Sequence, residues 1–112
     1  MDWSDAKAFQ RGDQVVVMTH DFERDVQICE ELNEFKGFGY WGILGPHKRM
    51  EKLRNTLKEK SIELNEGIFS PIGLDIGAEG PDEIAVSIVA EIIAQRNKRE
   101  GGNLKNRIGK IH

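Results

Sequence analysis

Residues 70–94 read SPIGLDIGAEGPDEIAVSIVAEIIA, and this stretch joins a glycine-bearing loop to a long apolar helix. Glycines occupy positions 73, 77 and 80, where the backbone can adopt positive φ angles or approach another group closely. Pro81 at the first helical position, followed by Asp82 and Glu83, is a strong signal for the start of a helix. A shaped loop that leads into an apolar helix predicts a packed site rather than a linker.

The helix predicted from residue 81 to about residue 96 is apolar around most of its circumference. Its apolar residues are Ile84, Ala85, Val86, Ile88, Val89, Ile92 and Ile93. This apolar surface is wider than that of a helix with one face in water, so we expect the helix to be buried between layers or against another subunit. Ser87 and Glu91, four residues apart, mark either its exposed edge or a buried polar contact.

The chain before this stretch alternates strands with helices. Residues 14–19 (QVVVMT) and 40–44 (YWGIL) are continuous apolar runs, typical of strands covered on both faces, and residues 68–69 predict a short third strand. Helices are predicted at residues 22–35, with Asp21 as N-cap, and at residues 46–60, with Pro46 at the first helical position. The alternation predicts an α/β fold with parallel strands and right-handed crossovers.

The composition indicates one small domain in a reducing compartment. The 112 residues are 38% hydrophobic and 31% charged, and no apolar run approaches the ~20 residues of a membrane span. The acidic, polar start is unlike a signal peptide, and the single cysteine, Cys29, excludes an intrachain disulfide. We therefore expect a cytoplasmic protein with no membrane partner. Cys29 lies on the apolar stripe of the first helix and is expected to be a core residue, not a nucleophile.

The charge is unevenly distributed along the chain. We predict a lead-in at residues 1–13, the domain at residues 14–96, and a basic, flexible tail at residues 97–112. The tail holds five Lys/Arg and one Glu, a formal charge of +4, whereas residues 1–96 hold eleven Lys/Arg and eighteen Asp/Glu, a charge of −7. The tail is either a frayed terminus or an arm for an acidic partner. Because it has no aromatic residue to stack on bases, we expect no nucleic-acid partner.

Three loops follow the predicted strands, and ligands of open parallel sheets bind at the carboxyl ends of the strands. In GILGPHKR, residues 42–49, a helix start with three basic residues predicts an anion site for phosphate or pyrophosphate; the alternative is a tight turn with solvated side chains.

His20 is expected to be either a general acid/base or a histidine that is hydrogen-bonded to the backbone. Asp75 binds ligand hydroxyl or ring N–H groups, or holds its own loop. The candidate binding residues are His20, Asp21, Gly45, His47, Lys48, Arg49, Gly73, Asp75 and Gly77.

Several kinds of site are excluded by spacing. The three histidines, His20, His47 and His112, have no metal-ligand spacing, and no serine lies in a GxSxG motif. The P-loop spacing is absent, and no strand is followed by GxGxxG, so NAD(P) binding is not expected. The sequence therefore predicts neither a metal site nor a catalytic residue.

Three blocks, VVVMTHDFERD, YWGILGPHKR and the stretch quoted first, resemble the XdhC/CoxI family in the C-terminal part of its Rossmann domain. The resemblance covers about residues 14–96 and implies a partial Rossmann-like, three-layer αβα fold with a small parallel sheet. Members of this family are accessory proteins of molybdenum hydroxylases such as xanthine dehydrogenase. The resemblance thus implies a non-enzymatic protein that binds molybdenum cofactor, a pterin dithiolene carrying a phosphate, protects it during sulfuration and delivers it to the apo-enzyme.

The sequence departs from the family pattern in two ways. The family's N-terminal domain and the glycine-rich first half of its Rossmann fold have no counterpart here, and Pro46 replaces a serine, which removes a hydroxyl and an N–H group. Half of a sheet leaves a strand edge and a helix face uncovered. We therefore expect a homo-oligomer or pairing with a complementing chain. The alternatives are a fragment of an NAD(P)-dependent oxidoreductase and a dimerisation or docking module with no small-molecule site.

Overall fold

The computed structural model describes residues 9–109, which form two strands and three α-helices. The elements are β1 (Gln14–Val17), α1 (Phe22–Leu32), β2 (Tyr40–Ile43), α2 (His47–Glu59) and α3 (Gly80–Arg96), followed by a 3₁₀ helix, Leu104–Asn106. The chain divides into two compact units, one ending at Ile72 and the other beginning at Gly73. The predicted α/β class and the small parallel sheet are confirmed. Most of the predicted lead-in and the last three residues of the predicted tail lie outside the described residues.

The sheet of the first unit is parallel, with β1 and β2 in register from Gln14 opposite Tyr40 to Val17 opposite Ile43. The predicted third strand is reduced to one bridge, in which Phe69 pairs with Gly42 of β2. The N–H of Ile43 donates to the carbonyl oxygen of Phe69 at 2.9 Å. All four residues of β2 are buried, as the continuous apolar run predicts.

The hydrophobic core of the first unit lies among the sheet, α1 and α2, and it includes Val17, Val26, Cys29, Leu32, Ile43, Met50, Leu53 and Leu57. Gly42 leaves room for Ile72, because a Cβ atom at position 42 would lie 2.3 Å from Cδ1 of Ile72 and would displace that side chain. Cys29 is fully buried, so its predicted place in the core is confirmed. Burial, reinforced by the negative charge of Asp25, raises the pKa of the Cys29 thiol from 9.0 to about 12.

In the second unit, α3 begins with Gly80 and Pro81, as the start signals predict. Part of its apolar surface is exposed, however. The side chains of Val86, Val89 and Ile93 are 61%, 54% and 44% exposed. This exposed part of α3 is available to a partner, and the expected burial between layers or against another subunit stays a prediction.

The polar pair on α3 contacts the glycine loop, with Ser87 buried and Glu91 half-buried. Ser87 is buried, and its backbone carbonyl accepts a hydrogen bond from the N–H of Leu74 at 3.2 Å. Oε1 of Glu91 accepts a hydrogen bond from the N–H of Gly73 at 2.9 Å. This pair therefore attaches the glycine loop to α3.

Candidate functional site

A buried carboxylate, Asp25, connects the elements around the end of the sheet. It lies three residues after Phe22 and four before Cys29, so it falls on the buried stripe of α1 and is only 2% exposed. Nη2 of Arg49 donates to its Oδ2 at 2.7 Å, and the hydroxyl of Thr19 donates to its Oδ1. Asp25 is not among the binding residues predicted from the sequence. Its position on an apolar stripe was the available signal, because a buried carboxylate requires partners.

This network brings two of the predicted loops together. Thr19 follows β1, and Arg49 lies in the first turn of α2, directly after β2. Both donate to Asp25, so the carboxyl ends of the two parallel strands meet at one edge, as the topology predicts. The N–H of Asp21 also donates to Oγ1 of Thr19 at 3.3 Å, which attaches the start of α1 to the same network.

A narrow cleft opens beside the ion pair, in the first unit. Its wall includes Phe22, Asp25, Gly45, Arg49 and Ser70, and its volume for a water-sized group is about 10 Å³. That volume accommodates about one water-sized group. The Oγ atom of Ser70 is buried and has no hydrogen-bond partner among the described residues. The residues around the cleft thus include a charged pair and a serine whose hydroxyl is unsatisfied.

Two cations pack against the aromatic ring that forms part of this wall. Nζ of Lys52 lies 4.4 Å from the ring centroid of Phe22, and Cζ of Arg49 lies 5.5 Å from it. These are cation–π distances, so the ring fixes both positive charges near the start of α2.

The start of α2 differs from the prediction by one residue. Pro46 is the N-cap and not the first helical residue, because its ψ of 165° is extended. Its carbonyl oxygen accepts hydrogen bonds from the N–H groups of Arg49 and Met50 at 3.0 and 3.3 Å. Since the proline precedes the helix, the N–H groups of His47 and Lys48 remain, and no side chain caps them. Both side chains are exposed. The missing N–H of Pro46 therefore removes none of the free N–H groups in the first turn of α2.

Gly45 allows the Arg49 side chain to cross the loop after β2. Its φ of +137° is a conformation that favours glycine, and a Cβ there would lie 2.9 Å from Cδ of Arg49. A larger residue at position 45 would therefore displace the guanidinium from Asp25.

The first predicted loop contains a helix cap and an exposed histidine. Oδ1 of Asp21 accepts hydrogen bonds from the N–H groups of Glu23 and Arg24 at 3.0 and 3.3 Å, so Asp21 is the N-cap of α1, as predicted. His20 is exposed beside it. A role for either residue in binding a ligand stays a prediction.

The third predicted loop belongs to the second unit. Gly73, with a φ of +105°, approaches Ser87 so closely that a Cβ would lie 2.4 Å from its Oγ. Asp75 and Gly77 are exposed, and Gly77 has a φ of +71°. The expectation that this loop joins the other two around one ligand is not tested by the structure and stays a prediction.

Within residues 9–109, no group of three or more His, Cys, Asp or Glu side chains is arranged to hold a metal ion. The helices of that part of the chain include none long and apolar enough to cross a membrane.

Parallel strands joined by helices, with a cleft at the strand ends, define a Rossmann-like domain. The model of the XdhC Rossmann domain matches residues 2–92, and the chain belongs to this family, which confirms the resemblance seen in the sequence. A Bacillus subtilis protein named as a probable subunit of xanthine dehydrogenase is 42% identical over 86 residues, which cover 77% of this chain and 24% of the relative. The uncharacterized protein YqeB of Escherichia coli is 31% identical over 90 residues, which cover 79% of this chain and 16% of that protein.

A solved structure shares the fold. It is a Bacillus halodurans protein described as a xanthine dehydrogenase, with a TM-score of 0.68 and 37% sequence identity. The match covers 88% of this chain and 28% of that one. The chain therefore matches only 16% to 28% of the length of these relatives.

Proposed function

We propose that this chain is a module of a non-enzymatic accessory protein that helps to bind molybdenum cofactor and deliver it to a molybdenum hydroxylase of the xanthine dehydrogenase type. Membership of the XdhC family and the names of two similar proteins support the connection with xanthine dehydrogenase. The observation that carries the binding part of the proposal is the uncapped start of α2, with His47 and Lys48 exposed and Arg49 fixed beside the cleft.

These groups suit the phosphate end of the cofactor. The free N–H groups and the positive end of the α2 dipole attract an anion, and the side chains of His47 and Lys48 add hydrogen-bond donors. Because His47 and Lys48 are exposed, a phosphate held there stays accessible to the protein that receives the cofactor. The cofactor itself supplies the molybdenum chemistry to the recipient enzyme. In this proposal the chain contributes binding and orientation only.

Cofactor binding can be measured on the full chain by native mass spectrometry with molybdenum cofactor present. We expect a complex that is weakened in a variant carrying His47→Ala and Lys48→Ala. The matched control carries Arg54→Ala and Lys58→Ala, two exposed basic residues further along the same helix. Equal binding by the two variants would contradict the anion site. Saturable binding of NAD, without binding of the cofactor, would instead favour the oxidoreductase alternative.

We also infer that the exposed apolar face of α3 binds the remainder of an XdhC-type Rossmann domain, supplied by a complementing chain. The face consists of Val86, Val89 and Ile93, which recur at helical spacing and are half exposed. The length of the relatives supports this inference, since they extend well beyond the matched region while the described sheet has two strands and one bridge. Self-association through the same face is the competing outcome. A cytoplasmic location and the absence of a nucleic-acid partner remain proposals from composition.

A further inference from the structure

We propose that Ser70 and Arg49 form a subsite for a single oxygen atom of a phosphoryl group, with Asp25 as the residue that positions Arg49. This inference rests on the proposed anion site at the start of α2 and specifies how that site holds its ligand.

The hydroxyl of Ser70 points to a ligand, because it is unsatisfied within the described chain. Its Oγ atom is buried and has no hydrogen-bond partner among the described residues, and Ser70 is one of the residues that line the cleft. Buried hydroxyl groups are almost always hydrogen-bonded, so this one indicates a partner that arrives from outside the chain. A serine hydroxyl can donate one hydrogen bond, which suits an oxygen acceptor.

The size of the cleft fits one atom of a ligand. Its volume of about 10 Å³ accommodates about one oxygen-sized group, which is less than a whole phosphate requires. A phosphoryl ligand would insert one oxygen and keep the others outside the cleft. The N–H groups and cationic side chains at the start of α2 are suited to those outer oxygens.

Arg49 is held beside the cleft by its ion pair with Asp25. Its side chain lines the cleft and is 28% exposed, whereas that of Asp25 is 3% exposed. A guanidinium has five N–H donors, and the bond to Oδ2 of Asp25 uses one of them, so further donors remain for a ligand. Both carboxylate oxygens of Asp25 already accept hydrogen bonds, from Thr19 and Arg49. Asp25 therefore orients the guanidinium, as the outer partners of many ligand-binding groups do.

The test uses the full chain and pyrophosphate, with isothermal titration calorimetry at low ionic strength. We expect Ser70→Ala to weaken pyrophosphate binding about 5- to 10-fold, the loss expected for one hydrogen bond. The control is Ser61→Ala, which removes an exposed hydroxyl from the turn after α2 and should leave the affinity unchanged. An unchanged affinity in Ser70→Ala would assign the cleft to a structural water and overturn the subsite.

The direction in which Asp25→Asn changes the affinity for pyrophosphate shows whether Asp25 acts by positioning Arg49 or only through its negative charge. This substitution removes a negative charge, so a site that works by net charge alone would bind pyrophosphate more tightly. Loss of positioning would instead weaken binding, by about 10-fold. Thr19→Val, which removes the second partner of Asp25 without changing the charge, should weaken binding in the same direction. Tighter binding by Asp25→Asn, or no change with Thr19→Val, would overturn the role of Asp25.

The failures of the subsite and of the wider proposal are distinguishable. If the double substitution of His47 and Lys48 abolishes pyrophosphate binding while Ser70→Ala has no effect, the subsite is wrong and the anion site at α2 stands. If the unsubstituted chain does not bind pyrophosphate, both are overturned.

Discussion

Nη2 of Arg49 lies 2.7 Å from Oδ2 of Asp25, and this ion pair joins the start of α2 to the buried face of α1. The two partners differ in environment, since the Arg49 side chain is 28% exposed and the Asp25 side chain only 3%. The carboxylate is therefore removed from water and depends on its partners, whereas the guanidinium still contacts solvent. The same bond thus links the stability of the fold to the geometry of the candidate site.

The first prediction concerns this dependence. Asp25→Asn should lower the free energy of unfolding by about 1–3 kcal/mol, because it leaves Arg49 without its charge partner and weakens a buried network. The loss should be smaller than for a fully buried ion pair, because solvent reaches the Arg49 side chain. Urea denaturation followed by circular dichroism measures the change.

The chain offers a matched surface pair as a control. Nζ of Lys60 lies 3.7 Å from Oε2 of Glu30, with side chains that are 51% and 42% exposed. Glu30→Gln should therefore change the free energy of unfolding by less than about 0.5 kcal/mol. Similar effects of Glu30→Gln and Asp25→Asn would contradict the structural role assigned to the buried pair.

The second prediction follows from the raised pKa of Cys29. The unfolded thiol, with a pKa of 9.0, ionises before the folded one, whose pKa is about 12. Between these values the folded state binds more protons, so rising pH favours unfolding. The contribution of the thiol to stability is complete below pH 9 and should decline at up to ~1.4 kcal/mol per pH unit as the pH rises towards 12.

Comparison with Cys29→Ala isolates this effect from other groups that titrate at high pH. The difference in the free energy of unfolding between the two proteins should be constant below pH 9 and shrink above it. Reaction of the folded thiol with a disulfide reagent at pH 8 should also be slow and limited by unfolding, since Cys29 is fully buried. Rapid reaction with the native protein would disprove this assignment.

The third prediction compares two glycines of the same loop. Gly73→Ala combines an unfavourable φ of +105° with a contact of 2.4 Å to Oγ of Ser87, so it should destabilise the chain by about 2–4 kcal/mol. Gly77→Ala introduces only the positive φ of +71°, with no atom within 4 Å of the new Cβ, and should cost about 1 kcal/mol. Thermal denaturation of both variants gives the comparison. A Gly77→Ala effect as large as that of Gly73→Ala would contradict the close packing of Gly73 on α3.

The sequence predicted the elements better than the contacts among their polar side chains. Continuous apolar runs located both strands, and Asp21 and Pro81 located two helix starts, because these signals are local. Phe69 forms one bridge and no strand, since strand length depends on partners elsewhere in the chain. The apolar pattern of α1 did not predict the role of Asp25, because that pattern locates the buried face of a helix and not the hydrogen-bond partners of a carboxylate on it. The role of Asp25 depends on the fold, which brings Thr19, before it in the sequence, and Arg49, after it, to the same carboxylate.

The final prediction concerns the exposed apolar face of α3. Replacing Val86 and Val89 with lysine should change the free energy of unfolding of the isolated chain by no more than about 0.5 kcal/mol per site, because both side chains are more than half exposed. The same change should abolish binding of a complementing XdhC-type chain, or of a second copy, because a charge buried without a partner at an apolar interface is strongly unfavourable. Ile88→Lys is the contrasting variant, because Ile88 is 8% exposed and its replacement should unfold the helix region.

Sedimentation velocity across a range of concentrations reports the association, with and without a chain that supplies the first half of an XdhC Rossmann domain. The expected result is a complex formed by the unsubstituted chain and lost in the Val86→Lys, Val89→Lys variant, while circular dichroism stays the same. A complex that forms equally well with the double variant would place the contact elsewhere on the molecule. A monomer that persists at every concentration and with the complementing chain would show that the exposed valines do not form an interface.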